Sequence, residues 1–408
     1  MEQPASRHAL IFIFIAMLVD SIGLGIVLPV TPQLISELTH QGMSDAARWG
    51  GWLFFVFALM QFLCAPLIGN LSDRFGRRPV LIISLAMLGV DYLITGLAPT
   101  IAWLFVGRLL SGIAGAAYTT ANAYIADVSP PEKRAANFGV ISAAFGIGFV
   151  IGPAIGGLLG QFGPRVPFYV SAGIAFANAL YGLIVLRESL PPERRRTFEL
   201  WRANPLGALI ALRRFPMLIG LFGVTVLMRL GHDANPVVWT YYTMLKFHWT
   251  SAQVGYSLMA VGAMLTLVFS FVTRIVIPRL GEVRSAYLGL MCGAIGFFGY
   301  AFATQGWMLY GWMAVWVLMG LVGPSLNAIM SKEVGPSEQG ELQGALASLG
   351  GLTSVAAPPI LSNLFGYFTS DAAPVYFPGA AFFAAGVFTL LAALLLATAH
   401  RSRPAAAS

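Results

Sequence analysis

Apolar runs of about 20 residues or more, separated by short polar breaks, follow one another along the whole chain. An α-helix rises ~1.5 Å per residue, so such a run matches the ~30 Å hydrocarbon core of a bilayer. The runs fall near residues 9–31, 49–70, 78–98, 100–124, 136–160 and 166–187, and again near 215–241, 252–277, 285–303, 306–330, 342–368 and 374–398. They predict an all-α membrane protein with twelve transmembrane helices. The one long polar connection, 188–214, carries Pro191, Pro192 and the basic run Arg194, Arg195 and Arg196. It divides the chain into bundles at 1–187 and 215–408.

The two sets repeat each other. Gly76 and Gly281, Gly139 and Gly344, and Pro153 and Pro358 each stand 205 residues apart. Around Gly139, FGVISAAFGIGFVIGPAIGG aligns without a gap on QGALASLGGLTSVAAPPILS. The expected architecture is therefore two pseudo-symmetric six-helix bundles enclosing a cavity at the repeat interface.

Composition narrows the function classes. Of 408 residues, 57% are hydrophobic and 10% charged, against about 25% charged in soluble domains. A net charge of +7 would point to nucleic acid only if gathered on one soluble face, and here it is spread over loops. With both chain ends cytoplasmic, 19 of the 24 Lys and Arg side chains, from Arg7 to Arg401 and Arg403, fall on the cytoplasmic side. Arg48, Arg165 and Lys246 fall outside, and Arg108 and Arg229 lie within spans. This bias follows the positive-inside rule. Met1–His8 is short and mixed, and the apolar run after it is too long for a signal peptide, so that run reads as the first span. Cys64 and Cys292 sit apart in apolar runs and imply no disulfide.

The connection after the second run reads Gly69-Asn-Leu-Ser-Asp73-Arg74-Phe-Gly76-Arg77-Arg78-Pro79. Gly76 permits a tight turn, and Asp73 can pair with Arg77 and face helix N-termini; anchoring of topology by the arginines is the plainer role. This stretch resembles the signature of the major facilitator superfamily, for which it implies a cytoplasmic latch, with Asp127 and Arg134 of ADVSPPEKR as further parts. Gly25-Ile-Val-Leu-Pro29-Val-Thr-Pro32 and Arg108-Leu-Leu-Ser-Gly112-Ile-Ala-Gly115 are similar to other family elements. Gly148-Phe-Val-Ile-Gly152-Pro153-Ala-Ile-Gly156-Gly157 looks like the antiporter motif of drug exporters. Such spacing of small residues also serves close helix packing alone. At finer grain, ALMQFLCAPLIGNLSDRFGRRPVLIISLAMLGVDY, AYIADVSPPEKRAANFG, KFHW and LQGALASLGGLTS resemble the tetracycline/proton antiporters of bacteria. That resemblance implies that Asp20, Gln61, Asp91 and Arg108 line a drug and proton path.

The residues themselves carry a parallel reading. Asp20, Asp91 and Asp233 are the acids well inside spans, where a charge costs ~2.5–3.5 kcal/mol on insertion scales. Asp91 and Arg108 lie at similar depths in neighbouring spans and are expected to pair, either as part of the path or as a static ion pair. Asp20, beside Gly23 and Gly25, has no evident partner, and a carboxylate without a counter-charge in low dielectric favours its neutral form. It is the first proton-carrier candidate. Span 7 places Arg229, His232 and Asp233 at i, i+3 and i+4, one helix face, on which Arg229 is expected to pair with Asp233; His232 is a relay or a structural histidine. Tetracycline antiporters have an acid in span 9 and often a histidine in span 8, where this chain has Gly293 and Leu265. Either the span 7 cluster takes over coupling, or substrate and stoichiometry differ.

Aromatic residues, among them Trp239, Tyr241, Tyr242, Phe269, Tyr300 and Trp316, are expected mostly at the lipid face and interfaces, with a few lining a cavity. The expected function is proton-coupled export of a lipophilic or amphiphilic small molecule by alternating access from a bacterial inner membrane; the alternative on the same fold is proton-coupled import of a metabolite or siderophore. No nucleophile–base pair or metal cluster points to an enzyme. No cofactor is expected: protons are the coupling ion, and a metal would enter only chelated by the substrate. Membrane lipids surround the chain, which is expected to work as a monomer.

Overall fold

The computed structural model describes residues 7–115, 117–198, 212–335 and 337–401. Part of the connection expected at 188–214, from 199 to 211, lies outside the described residues, as do Met1–Ser6 and Arg403. Among the described residues every regular element is helical. The first half comprises α1 (Arg7–Val27), α2 (Thr31–Thr39), α3 (Met43–Phe75), α4 (Arg77–Leu97), α5 (Ile101–Gly115), α6 (Ala117–Val128), α7 (Pro131–Leu159) and α8 (Val166–Val185). The second comprises α9 (Ile219–His232), α10 (Ala234–Phe247), α11 (Ser251–Leu267), α12 (Thr273–Leu280), α13 (Glu282–Phe302), α14 (Gly306–Trp316), α15 (Val322–Ser331), α16 (Gln339–Phe368) and α17 (Ala380–Arg401). Among the described residues, eleven helical stretches are long and apolar enough to cross a membrane, or twelve with the bent pair α1–α2 as one span.

Where the spans depart from the expected boundaries, backbone chemistry explains it. The first run does not stop at residue 31. Pro29 lacks the N–H needed to continue α1, and the chain resumes, bent by 47°, as α2. Thr31 Oγ1 bridges the break by donating to the Val27 carbonyl at 2.7 Å. Span 7 is interrupted at Asp233, because Pro236 cannot donate to the His232 carbonyl. A π-helical segment, Val268–Val272, joins α11 to α12, and a 3₁₀ segment, Val317–Leu321, joins α14 to α15.

The internal repeat is visible in the backbone. Gly76 and Gly281 both form the junction between consecutive spans, with φ of +104° and +78°, a region open to glycine and costly for other residues. Pro153 and Pro358 both lie inside long helices, α7 and α16. His40 and His248, which close α2 and α10, are the non-glycine residues at positive φ among those described, at 55° and 54°.

Contacts divide the chain into two compact units. Unit 1 takes Met1–Gly42, Val56–Pro205 and Trp249–Gly262; unit 2 takes Met43–Phe55, Leu206–His248 and Ala263–Ser408. In unit 1, α1 packs on α7 and α8, and α4 on α5 and α8. Two polar side chains tie α8 to α1: Asn178 Nδ2 donates to the Ala16 carbonyl at 3.0 Å, and Ser171 Oγ to that of Gly23 at 3.3 Å. In unit 2, α17 packs on α9 and α13. Its core corrects the expectation for the aromatics. Trp239, Tyr241, Tyr242, Tyr300 and Trp316 are buried, and of the six named only Phe269 is exposed. Trp239, Tyr242 and Tyr300 meet Phe382 edge to face at 4.9–6.0 Å. Tyr242 satisfies its hydroxyl on the Tyr300 carbonyl, which lets a polar ring sit in the core.

Candidate functional site

A cavity of about 310 Å³ opens among α1, α3, α4 and α5 of unit 1. Met17 and Asp20 reach it from α1, Gln61 from α3, Leu88 from α4 and Ser111 from α5. The α1 contributors recur at helical spacing, so burial of one apolar face carries Asp20 into the wall. Asp20 is the single acid in a lining that is otherwise mostly apolar, and among the described residues no basic side chain forms an ion pair with it.

Behind it lies the expected pair. Arg108 Nη2 stands 2.8 Å from Asp91 Oδ2, with Asp91 fully buried. Thr95 Oγ1, one turn along α4, donates to Asp91 Oδ1 at 3.2 Å. Gly107 makes room: a Cβ there would collide with Asp91 Oδ1. Tyr92 was not foreseen. It is buried against Gly23, within electrostatic reach of both Asp20 and Asp91, and its hydroxyl has no partner among the described residues. The four groups form a polar seam from the cavity wall to the buried pair.

The sequence cluster after α3 folds into a compact network. Arg77 pairs with Asp73 at 2.6 Å and Asp127 at 3.3 Å, and bonds Ser72 Oγ at 2.6 Å. Arg134 donates to the Ala126 carbonyl at 3.2 Å rather than to a carboxylate. Arg74 lies over the Phe75 ring at 5.0 Å, Arg78 donates to the Leu183 carbonyl at 2.7 Å, and Gly69 has open space about it. The sequence reading missed the keystone, Glu188. Its carboxylate accepts from the backbone N–H of Arg77 at 2.8 Å and of Arg78 at 3.3 Å, the exposed first donors of α4. Gly76 leaves the space it occupies.

The glycines of the antiporter-like stretch bring α7 to backbone contact with α1. A Cβ at Gly148 would stand 2.6 Å from Ser21 Cβ, and one at Gly152 2.7 Å from the Ile22 carbonyl. Gly156 faces the Ile26 carbonyl more closely still, Pro153 lies against Gly25, and Gly157 meets Ser251 of α11.

In unit 2 the expected Arg229–Asp233 pair is not formed. Asp233 Oδ1 faces His232 Nδ1 instead, at 3.7 Å, although the Asp233 N–H still donates to the Arg229 carbonyl at 3.0 Å. The His232 ring lies against Trp316 at 5.7 Å, and the Arg229 guanidinium lies over Gly350. Gly293 is buried in α13, where a Cβ would stand 2.9 Å from Met319 Sδ. A carboxylate has no room there. Leu265 is half-buried. Among the described residues no three His, Cys, Asp or Glu side chains gather to hold a metal.

Residues 13–358 match the model of the Major Facilitator Superfamily. The chain belongs to this superfamily. Within it, the chain is 38% identical to the class C tetracycline resistance protein of Escherichia coli, over 88% of this chain and 90% of that one. It is also 38% identical to the class G tetracycline resistance protein of Vibrio anguillarum, over 86% and 89%. Among solved structures, the nucleoside transporter NupG superposes with a TM-score of 0.78 at 14% identity, covering 97% of this chain and all of that one, which shows the shared fold. This superfamily member is thus a multi-pass membrane transporter for small molecules, related to the tetracycline resistance proteins.

Proposed function

We propose that the protein exports a lipophilic or amphiphilic small molecule from the cytoplasm of a bacterium in exchange for protons. The observation that carries this reading is Asp20, an acid without a basic partner in the wall of a largely apolar cavity. An apolar wall suits an apolar cargo, and an ionisable group held in a span marks an ion or substrate path. Kinship with tetracycline resistance proteins supports the direction. Protons arriving from outside neutralise Asp20, and Tyr92 links it to the Asp91–Arg108 pair. Cargo and proton compete for the same wall, so loading one releases the other, and each outcome favours a different opening of the bundles. Asp73, Arg77, Asp127 and Glu188 hold the cytoplasmic ends of α3, α4 and α8 in one arrangement, and Arg134 steadies the turn between α6 and α7.

The same reading assigns both chain ends to the cytoplasm, the protein to the inner membrane as a monomer, and the halves 1–187 and 215–408 to two rocking bundles joined by the cytoplasmic loop 188–214. It needs no catalytic residues and no cofactor beyond the coupling proton; a metal enters only if the cargo chelates one.

Resistance profiling in a pump-deficient bacterium tests it, with Asp20→Asn and Asp91→Asn at matched expression. The wild type should raise the inhibitory concentration of at least one amphiphilic drug, and both variants should fall to the level of the host alone. In proteoliposomes, the drug should leave the lumen that an imposed gradient makes alkaline. Full protection by the variants, or accumulation in the direction of proton flow, would overturn it.

A further inference from the structure

Arg229 lies 13 residues into the span Pro216–Phe247, about 20 Å deep. Opposite it, α9 is sealed against α17: side chains at Gly223 and Gly231 would strike Leu395 and Thr389. Arg229 is about 200° round the helix from Gly231, on a face where both it and His232 are exposed. A guanidinium at that depth requires water or an acceptor, and among the described residues no carboxylate pairs with it. Two more donors nearby are idle. Trp316, whose ring contacts His232, is 2% exposed, and its Nε1–H has no partner among the described residues; the Nδ2 of Asn235, one turn beyond His232, is buried and has none among them either. Buried indole and amide donors are ordinarily satisfied. Gly350 adds space, since even a methyl group there would press on the guanidinium at 3.0 Å. Asp233 offers no relief, being turned to His232.

A fixed positive charge, and two donors without acceptors among the described residues, set within two turns of span 7 and on the Trp316 ring beside His232, call for an acceptor-rich anion. We propose that this face of unit 2 binds an anionic group, a carboxylate, sulfonate or phosphate, carried by an otherwise apolar cargo. Arg229 supplies the charge, and Trp316 and Asn235 orient the oxygens. The inference rests on the reading of the protein as an exporter of amphiphiles and narrows its cargo to those bearing a negative group.

The test compares 1-pyrenebutyrate with the uncharged 1-pyrenebutanol on the purified full chain in detergent, read by quenching of tryptophan fluorescence without a pH gradient. The wild type should bind the carboxylate at least about tenfold more tightly, as expected for a charge-assisted bond in a partly dry site. Arg229→Gln should erase that preference, the two probes then binding about equally, Arg229→Lys should keep most of it, and Trp316→Phe should weaken it a few-fold. A wild type that binds both probes equally overturns the proposal whatever the variants do, as does an Arg229→Gln protein that keeps the preference. No proton gradient enters the measurement, so the two readings fail separately: a protein that exports but shows no preference loses only this site, and one that shows the preference without exporting keeps it.

Discussion

At the scale of single residues, the informative side chains are those that break the apolar pattern, and how far each could be read depended on where its partner lay. Asp91 and Arg108 were legible because their partners sit in adjacent spans joined by a short turn, so depth alone brings them together. Glu188 was not. It is 111 residues from the N–H it caps, at the edge of a polar connection where any acid looks ordinary. Its role predicts a measurable cost. Glu188→Ala removes the acceptor for two α4 backbone donors and should lower stability in detergent by ~1–2 kcal/mol, seen as a fall of a few degrees in melting temperature. Glu188→Gln, which keeps one carbonyl oxygen, should recover part of it. An unchanged melting temperature in the alanine variant would remove Glu188 from the network. Arg229 and Asp233 show the opposite failure: the i, i+4 spacing was right, and the Asp233 N–H still donates to the Arg229 carbonyl at 3.0 Å, but the guanidinium lies over Gly350 and the carboxylate faces His232.

Among the helices, hydrophobic runs located every span, while bends and irregular turns depended on which donors prolines remove. Residue spacing foresaw that α7 would pack closely on something, but not on what; that partner is α1, 120 or more residues away in sequence. The contrast between glycines is testable. Gly152→Val sets a branched side chain against the Ile22 carbonyl and should cost about 1–3 kcal/mol or more through overpacking, read as loss of folded, monodisperse protein. Gly139 has no atom within 4 Å of a Cβ position, so Gly139→Ala should be neutral or stabilise α7 by up to ~1 kcal/mol through helix propensity. Equal effects of the two would show that close approach of α1 and α7 does not govern packing there. The aromatic expectation failed at this same scale. Lipid-facing and core-facing rings share one composition, and only the interlocking of α10, α13 and α17 separates them.

For the molecule as a whole, the twelve-span plan, the internal repeat and the family were legible from hydropathy, periodicity and motif. The compact units were not, because contact ignores chain order: residues 43–55 group with the second half and 249–262 with the first. Topology is the property of the whole that a simple measurement reaches. In a Cys64→Ser, Cys292→Ser background, a cysteine placed at exposed Asp371 should react with a membrane-impermeant maleimide in intact cells, and one at exposed Lys133 only after permeabilisation. The reverse pattern would invert the orientation drawn from the positive-inside bias.

The two histidines at positive φ carry a consequence of their own. His40 and His248 sit in LTHQG and KFHWT, segments that share almost no other letter, yet each holds the left-handed turn that asparagine or glycine would adopt more easily. The two halves therefore match at a backbone corner where the neighbouring letters do not, and a search for duplications in such transporters gains by comparing the corners of the backbone as well as the text.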